Sequence, residues 1–281
     1  MNNNMILNRL FTQYIFDDLI QNQKNDVYMS VIKRFVQDPT SKNHGKLISE
    51  IYSYMSKNYR NEYFYQNTLL NKLLLGRHSI NTTTALTQIP INKSKADFIL
   101  INGKAVVYEI KTELDSFDRL GTQINDYYKA FSYVCVVTCE EYYDKLNSIL
   151  HDTNVGICIL TTKNTLKFIK EPLADFSNIT HKHLFKVLHK KEFENILIKR
   201  FQKLPKATPA FYYDECFNWF KLLPIMDAYN EVLKQLKKRN KIKKEEFKRV
   251  PYELKSLMYF NSIYDNDYEQ LELFLNESYR G

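Results

Sequence analysis

Asp97, Glu109 and Lys111 are residues whose types and spacing can do chemistry together. Asp97 lies in the run Lys95-Ala96-Asp97-Phe98-Ile99-Leu100, and Glu109 and Lys111 flank Ile110 at the end of a second apolar run that includes Val106 and Val107. Between the two runs stands Asn102-Gly103, a strong signal for a tight hairpin. Alternate residues of a strand project to one face, so Glu109 and Lys111 point together, and the hairpin brings Asp97 beside them. A lysine set among Val106, Val107 and Ile110 needs a partner, because an unpaired buried charge is costly. Two carboxylates offer the oxygen ligands that suit a hard cation, Mg2+ or Mn2+, with water completing the shell. Such an ion lowers the pKa of a bound water and stabilises charge developing on a phosphate. An adjacent ammonium holds that water and offsets the added negative charge. The chemistry this set serves is hydrolysis of a phosphodiester.

The elements that must position these residues follow from the apolar period. Up to about residue 80, apolar residues recur at three- and four-residue spacing. This predicts helices over Met5–Ile20, Val27–Val36 and Asn61–Leu75, the last ended by Gly76 with Arg77 and His78 just beyond. From Ala85 the period changes. Ala85–Ile91, Ala96–Ile101 and Ala105–Thr112 predict a three-stranded meander. Leu114–Phe131 is amphipathic at helical spacing, Tyr133–Cys139 is an apolar strand, Glu140–Leu150 a charged helix and Val155–Thr162 another strand, with Thr165–Glu171 placed to pair beside it. Strands alternating with helices imply a mixed sheet covered by helices. After Pro172 the strand signals stop, and Phe185–Leu204, Phe217–Lys238 and Tyr252–Glu277 read as helices. The expected layout is a helical extension over 1–60, an α/β core over 61–172 and a helical, basic region over 173–281.

Lys95-Ala96-Asp97 and Glu109-Ile110-Lys111 resemble the Asp and E-x-K elements of the PD-(D/E)XK nuclease superfamily. Gln123-Ile124-Asn125-Asp126-Tyr127 is similar to the Q-x-x-x-Y motif of its RecB-like and lambda-exonuclease-like branch. The resemblance covers residues 60–165; the proline that names the motif is replaced by Ala96 directly before Asp97. It implies a restriction-endonuclease-like α/β core, a mixed sheet of four to five strands flanked by helices, with helical additions at both ends. It also implies a metal-dependent deoxyribonuclease. Asp97 and Glu109 would hold Mg2+ or Mn2+, with the Ile110 carbonyl as a further ligand, and Lys111 would position the attacking water. Gln123 and Tyr127, one turn apart on a helix face, would orient the scissile phosphate or its metal shell. An acidic residue on the first helix often completes such sites, and Glu62 is the candidate, with Glu50 the runner-up. The implied partner is DNA, in phage or mobile-element defence or DNA processing, with a second copy or an accessory defence protein as further partners. The alternative is a non-catalytic nucleic-acid-binding or toxin-like interaction protein whose core only grips a backbone.

Composition bounds these expectations. Lys plus Arg number 40 against 32 Asp plus Glu, a net charge of +8, which suits a polyanionic partner without requiring one. The stretch Lys234–Arg249 holds nine Lys/Arg and two Glu; it reads either as a phosphate-neutralising surface or as an ordinary solvated face. With 6 Gly and 7 Pro, collagen-like and low-complexity classes are excluded. Cys135, Cys139, Cys158 and Cys216 lack a matching pair at zinc-site spacing and read as buried free thiols. His181 and His183, two residues apart, have no third ligand nearby. No window approaches the roughly 18 apolar residues that span a bilayer, and the N-terminal residues lack signal-peptide character. The expected location is cytoplasmic, with no membrane contact.

Overall fold

In the computed structural model, which describes residues 3–22, 24–240, 242–261 and 265–280, the strand runs form one sheet of six strands in chain order. β1 (Thr84–Ile91), β2 (Ser94–Asn102) and β3 (Lys104–Lys111) make the antiparallel meander, and Gly103, at φ +73°, supplies the left-handed residue of the β2–β3 turn. β4 (Tyr133–Cys139) and β5 (Gly156–Leu160) add in parallel, and β6 (Leu166–Lys170) closes the edge antiparallel to β5. The sheet thus has six strands where the resemblance implied four to five. The extra edge is β6, which lies within Thr165–Glu171 and pairs beside β5 as its sequence suggested; its residues alternate between half-buried and exposed.

Helices α1 (Leu7–Leu10), α2 (Gln13–Asn22), α3 (Asp26–Phe35), α4 (His44–Asn58) and α5 (Glu62–Leu69) precede the sheet. Asparagines cap three of them: Asn25, Asn43 and Asn61 each accept main-chain N–H bonds in the first turn. The single helix expected over Met5–Ile20 is interrupted where Phe11 leaves helical geometry. α5 does not stop at Gly76 but continues as π-helix over Leu70–Arg77, ended by the His78 N–H on the Leu73 carbonyl. α6 (Leu120–Tyr127) and α7 (Tyr143–Leu150) carry the chain between the parallel strands. After β6 come α8 (His181–Lys186), α9 (Lys190–Phe201), α10 (Pro209–Phe220), α11 (Ile225–Lys237), α12 (Lys244–Arg249), α13 (Lys255–Phe260) and α14 (Asp265–Asn276). Residues 262–264 of the helical stretch expected over Tyr252–Glu277, and Lys241 of the basic stretch, lie outside the described residues.

Strand alternation divides the core in two. Phe98, Leu100, Val106, Tyr108 and Val137 pack one face against α1–α5 and, from the other end of the chain, Phe247, Met258 and Phe274. Ile99, Ile101, Val107, Val134 and Val136 pack the opposite face against α6, α7 and the helices between Leu184 and Leu236. α5 and α6 therefore lie on opposite faces of the meander. All four cysteines are buried free thiols. Among the described residues, no helix is long and apolar enough to cross a membrane.

Asp126 ties α6 to the β1–β2 turn. Its carboxylate accepts from Asn92 Nδ2 (2.6 Å), Lys129 Nζ (2.7 Å) and Ser94 Oγ (2.8 Å). Burial pushes this acid up, but the bonds from Lys129, Asn92 and Ser94 outweigh it and bring its pKa down to about 2. A depressed carboxyl stabilises the fold above its unfolded pKa near 4, and that stability is lost as pH falls through 2. Asp126→Asn should therefore cost about 2 kcal/mol at pH 7 and show a shallower loss between pH 4 and 2. Urea unfolding at several pH values checks this; matching slopes in both proteins would remove Asp126 as the anchor.

Candidate active site

The central strands part at the residues singled out by chemistry. Phe98 pairs with Tyr108, and one step further, where Asp97 stands opposite Glu109, the β2–β3 ladder has ended. β3 instead stays paired with β4 as far as Lys111 and Thr138, and Thr138 Oγ1 donates to the Lys111 carbonyl at 2.7 Å. Asp97 Oδ2 accepts the Ile110 N–H at 2.8 Å, so a side chain takes the place of the missing ladder bond. In an extended strand the N–H and C=O of one residue point to the same edge, which turns the Ile110 carbonyl towards Asp97 as well. On the other side, the β1–β2 ladder skips Gln88, opposite Asp97, which sits at φ +55°. Strained non-glycine residues of this kind cluster at functional sites.

Three side chains close on one carboxylate. Glu109, 1% exposed, has its Oε1 3.0 Å from Lys111 Nζ. The Gln123 amide bridges the pair: its Nε2 donates to Glu109 Oε1, and its Oε1 accepts from Lys111 Nζ at 2.9 Å. Tyr127 donates to Glu109 Oε2, and its phenol oxygen lies 2.9 Å from the Lys95 carbonyl. Burial and the neighbouring Glu109 charge hold the Tyr127 phenol far above its usual range, so it remains a donor. Asp97 is pushed up to about 8, first by burial, then by the charges of Glu109 and Glu62; the Ile110 N–H and Lys111 act in the opposite direction.

Glu62 opens α5 at the edge of this group. Desolvation, Asp115 and Glu109 hold its carboxyl above the usual range, and Gln88 Nε2 donates to its Oε1 at 3.3 Å. Glu50 lies elsewhere, on α4 and paired with Lys42 at 2.9 Å, and is not part of the group. The oxygen donors, their shared negative charge and the raised pKa of Asp97 fit a hard divalent cation, which would supply the missing counter-charge. Among the described residues no three His, Cys, Asp or Glu side chains stand together in ligating positions, and Glu109 is turned to Lys111, Gln123 and Tyr127.

Several residues without a recognisable sequence pattern also support the group. Thr87 Oγ1 donates to the Asp97 carbonyl at 2.7 Å, and Gln66 Nε2 donates to Thr87 Oγ1 at 2.6 Å. Gln66 lies one turn after Glu62 on α5, a spacing that could have drawn notice; Thr87 and Gln88 carry no such signal. Asp115 caps the turn after β3 by accepting from the Thr112 N–H at 2.9 Å, and α6 begins only at Leu120, later than the apolar period suggested.

The histidines, Arg77 and the basic stretch make contacts of their own outside the group. His78 Nδ1 meets Asn102 Nδ2 at 2.9 Å beside the β2–β3 turn, about 17 Å along the strand from Asp97. Arg77 stacks over Phe168 of β6, the sheet edge three strands away from β3. His181 bonds the Leu223 carbonyl and His183 bonds Thr180, the N-cap of α8. Within the basic stretch, Lys234 pairs with Glu231, Arg239 with Glu192 and Lys248 with Glu245, while Lys237, Lys238 and Lys244 are exposed.

A six-stranded α/β protein with a buried carboxylate, lysine, amide and phenol gathered where its central strands part is the class that this fold and group define. The family model of bacteriophage P4 protein cII matches residues 55–269, a span that holds every strand and all of these side chains, and the chain belongs to that family. No curated protein matches it. A solved structure of a protein of unknown function from Silicibacter pomeroyi is 10% identical, over 46% of this chain and 86% of its own, with a TM-score of 0.29.

Proposed function

We propose that the protein is a metal-dependent nuclease of the PD-(D/E)XK kind that hydrolyses DNA phosphodiester bonds. The observation that carries this is the meeting of Asp97 with the Glu109–Lys111 pair at the split between β2 and β3, with Gln123 and Tyr127 of α6 on the same carboxylate. The order α5, β1–β3, α6, β4, with α5 and α6 on opposite faces, supports the same reading. The bacteriophage description of the family supports a setting in phage or mobile-element DNA processing or defence.

Asp97 and Glu109 would hold Mg2+ or Mn2+, with the Ile110 carbonyl and Glu62 completing the oxygen set. When bound, such an ion polarises the phosphate and lowers the pKa of a water. Lys111, placed by Glu109 and Gln123, orients that water and offsets charge building on the phosphate. Gln123 and Tyr127 fix the Glu109 rotamer, so that the carboxylate and ammonium are set before substrate arrives.

The test is incubation of plasmid, linear duplex and single-stranded DNA with Mg2+, Mn2+ or EDTA. Cleavage should require the divalent ion and disappear in Glu109→Gln. Binding of DNA with no cleavage under any metal would replace the nuclease by a module that only grips nucleic acid.

A further inference from the structure

Next to the strand split lies a cleft of about 690 Å³, a size that takes a small organic ligand such as one nucleoside. Glu62, Gln66, Thr87, Gln88, Thr112 and Asp115 border it on the side of the candidate active site. The opposite wall comes from both ends of the chain: Phe11, Thr12 and Gln13 from the N-terminal helices, and Leu257, Phe260 and Asn261 from α13 and its end. Among the described residues no Lys or Arg lines the cleft, and its charged groups, Glu62 and Asp115, are acidic. A phosphate is therefore disfavoured inside it. The lining is instead aromatic and neutral polar. Phe11 and Tyr63 stack on each other, with centroids 4.6 Å apart and planes 9° from parallel. Asn261, on the cleft wall, has a buried Nδ2 with no hydrogen-bond partner among the described residues, so turning this amide into the cleft would give the donor an acceptor brought by a ligand.

We propose that this cleft receives the unpaired nucleobase next to the scissile phosphate, so that the protein acts on DNA with a single-stranded end or flap. Planar bases stack on aromatic side chains and bond to amides through their edges, and a base held in duplex cannot enter a cleft of this kind. The proposal rests on the nuclease function for its phosphate, but not for its test.

The test uses the metal-free full-length protein in EDTA and fluorescence anisotropy with three labelled DNAs: a blunt duplex, a duplex with a short single-stranded overhang, and the same overhang with abasic sites. The overhang should bind about tenfold more tightly than the blunt end, the order expected for one stacked base. The abasic overhang should lose that gain. Thr12→Trp, which fills the cleft, and Asn261→Leu, which removes the open donor, should each level the three affinities. Equal binding of normal and abasic overhangs by the wild-type protein would overturn the proposal without recourse to any variant. Because no cleavage is read, base-dependent binding by a protein that never cuts would sink the nuclease function alone. Metal-dependent cutting with no overhang preference in binding would sink the base cleft alone.

Discussion

Lys111→Ala should cut DNA on the order of 10²–10³-fold more slowly than the wild type, while binding it within a few-fold. Lys111 Nζ lies 3.0 Å from Glu109 Oε1 and 2.9 Å from Gln123 Oε1, so the ammonium is placed before substrate arrives and needs no rearrangement to act. An interaction that strengthens as charge builds on the transferring phosphate affects the rate more than ground-state affinity. The same substitution removes the cation from beside a carboxylate that is 1% exposed. The metal-free variant should then be less stable than wild type, and Mg2+ should restore part of the difference, because a ligand that binds only the folded state stabilises it. Cleavage rate, DNA affinity and thermal unfolding with and without Mg2+, on one preparation, check all three effects. Cleavage at the wild-type rate would remove Lys111 from the mechanism.

Asp97→Asn should abolish cleavage and weaken Mn2+ binding, yet make the metal-free protein more stable at alkaline pH. Asp97 is pushed up to about 8 by burial and by Glu109 and Glu62. A raised carboxyl contributes stability that is fully present below its unfolded pKa near 4 and is lost as pH rises through its folded pKa. Between pH 4 and 8 the metal-free wild type should therefore lose stability, on the order of 5 kcal/mol from this group, and the variant should lose correspondingly less. The amide oxygen keeps an acceptor for the Ile110 N–H, so the split between β2 and β3 should survive. A gain in stability coupled to a loss of activity is the mark of a group kept for function at a cost to the fold. Titration calorimetry with Mn2+ and unfolding at pH 5 and 8 in EDTA measure the two halves. Unchanged Mn2+ affinity would show that Asp97 is not a ligand.

What could be seen in the sequence is what depends on neighbours along the chain. The Asn102-Gly103 turn, the i, i+2 placement of Glu109 and Lys111, and the i, i+4 placement of Gln123 and Tyr127 are local geometry, set by backbone periods of 2 and 3.6 residues. The hairpin register then puts Asp97 opposite Glu109 without help from any distant segment. Apolar periods likewise marked the central strands and most helices, because burial on one or both faces leaves a repeating signature.

Tertiary structure decided the contacts that link segments far apart. The docking of α6 places Gln123 and Tyr127 on Glu109, and the angle of α5 brings Glu62 towards Asp97 while leaving Glu50 paired with Lys42. The continuation of α5 as a π-helix past Gly76 carries Arg77 and His78 away from the group, to Phe168 on the β6 edge and to Asn102 beside the β2–β3 turn. The left-handed Gln88, the Gln66–Thr87 support of Asp97, and the cleft closed by Phe11 from one end of the chain and Phe260 from the other left no local pattern to find. Periodicity records which face of an element is buried, but not which distant element buries it, and the strain at Gln88 is held only by the assembled surroundings.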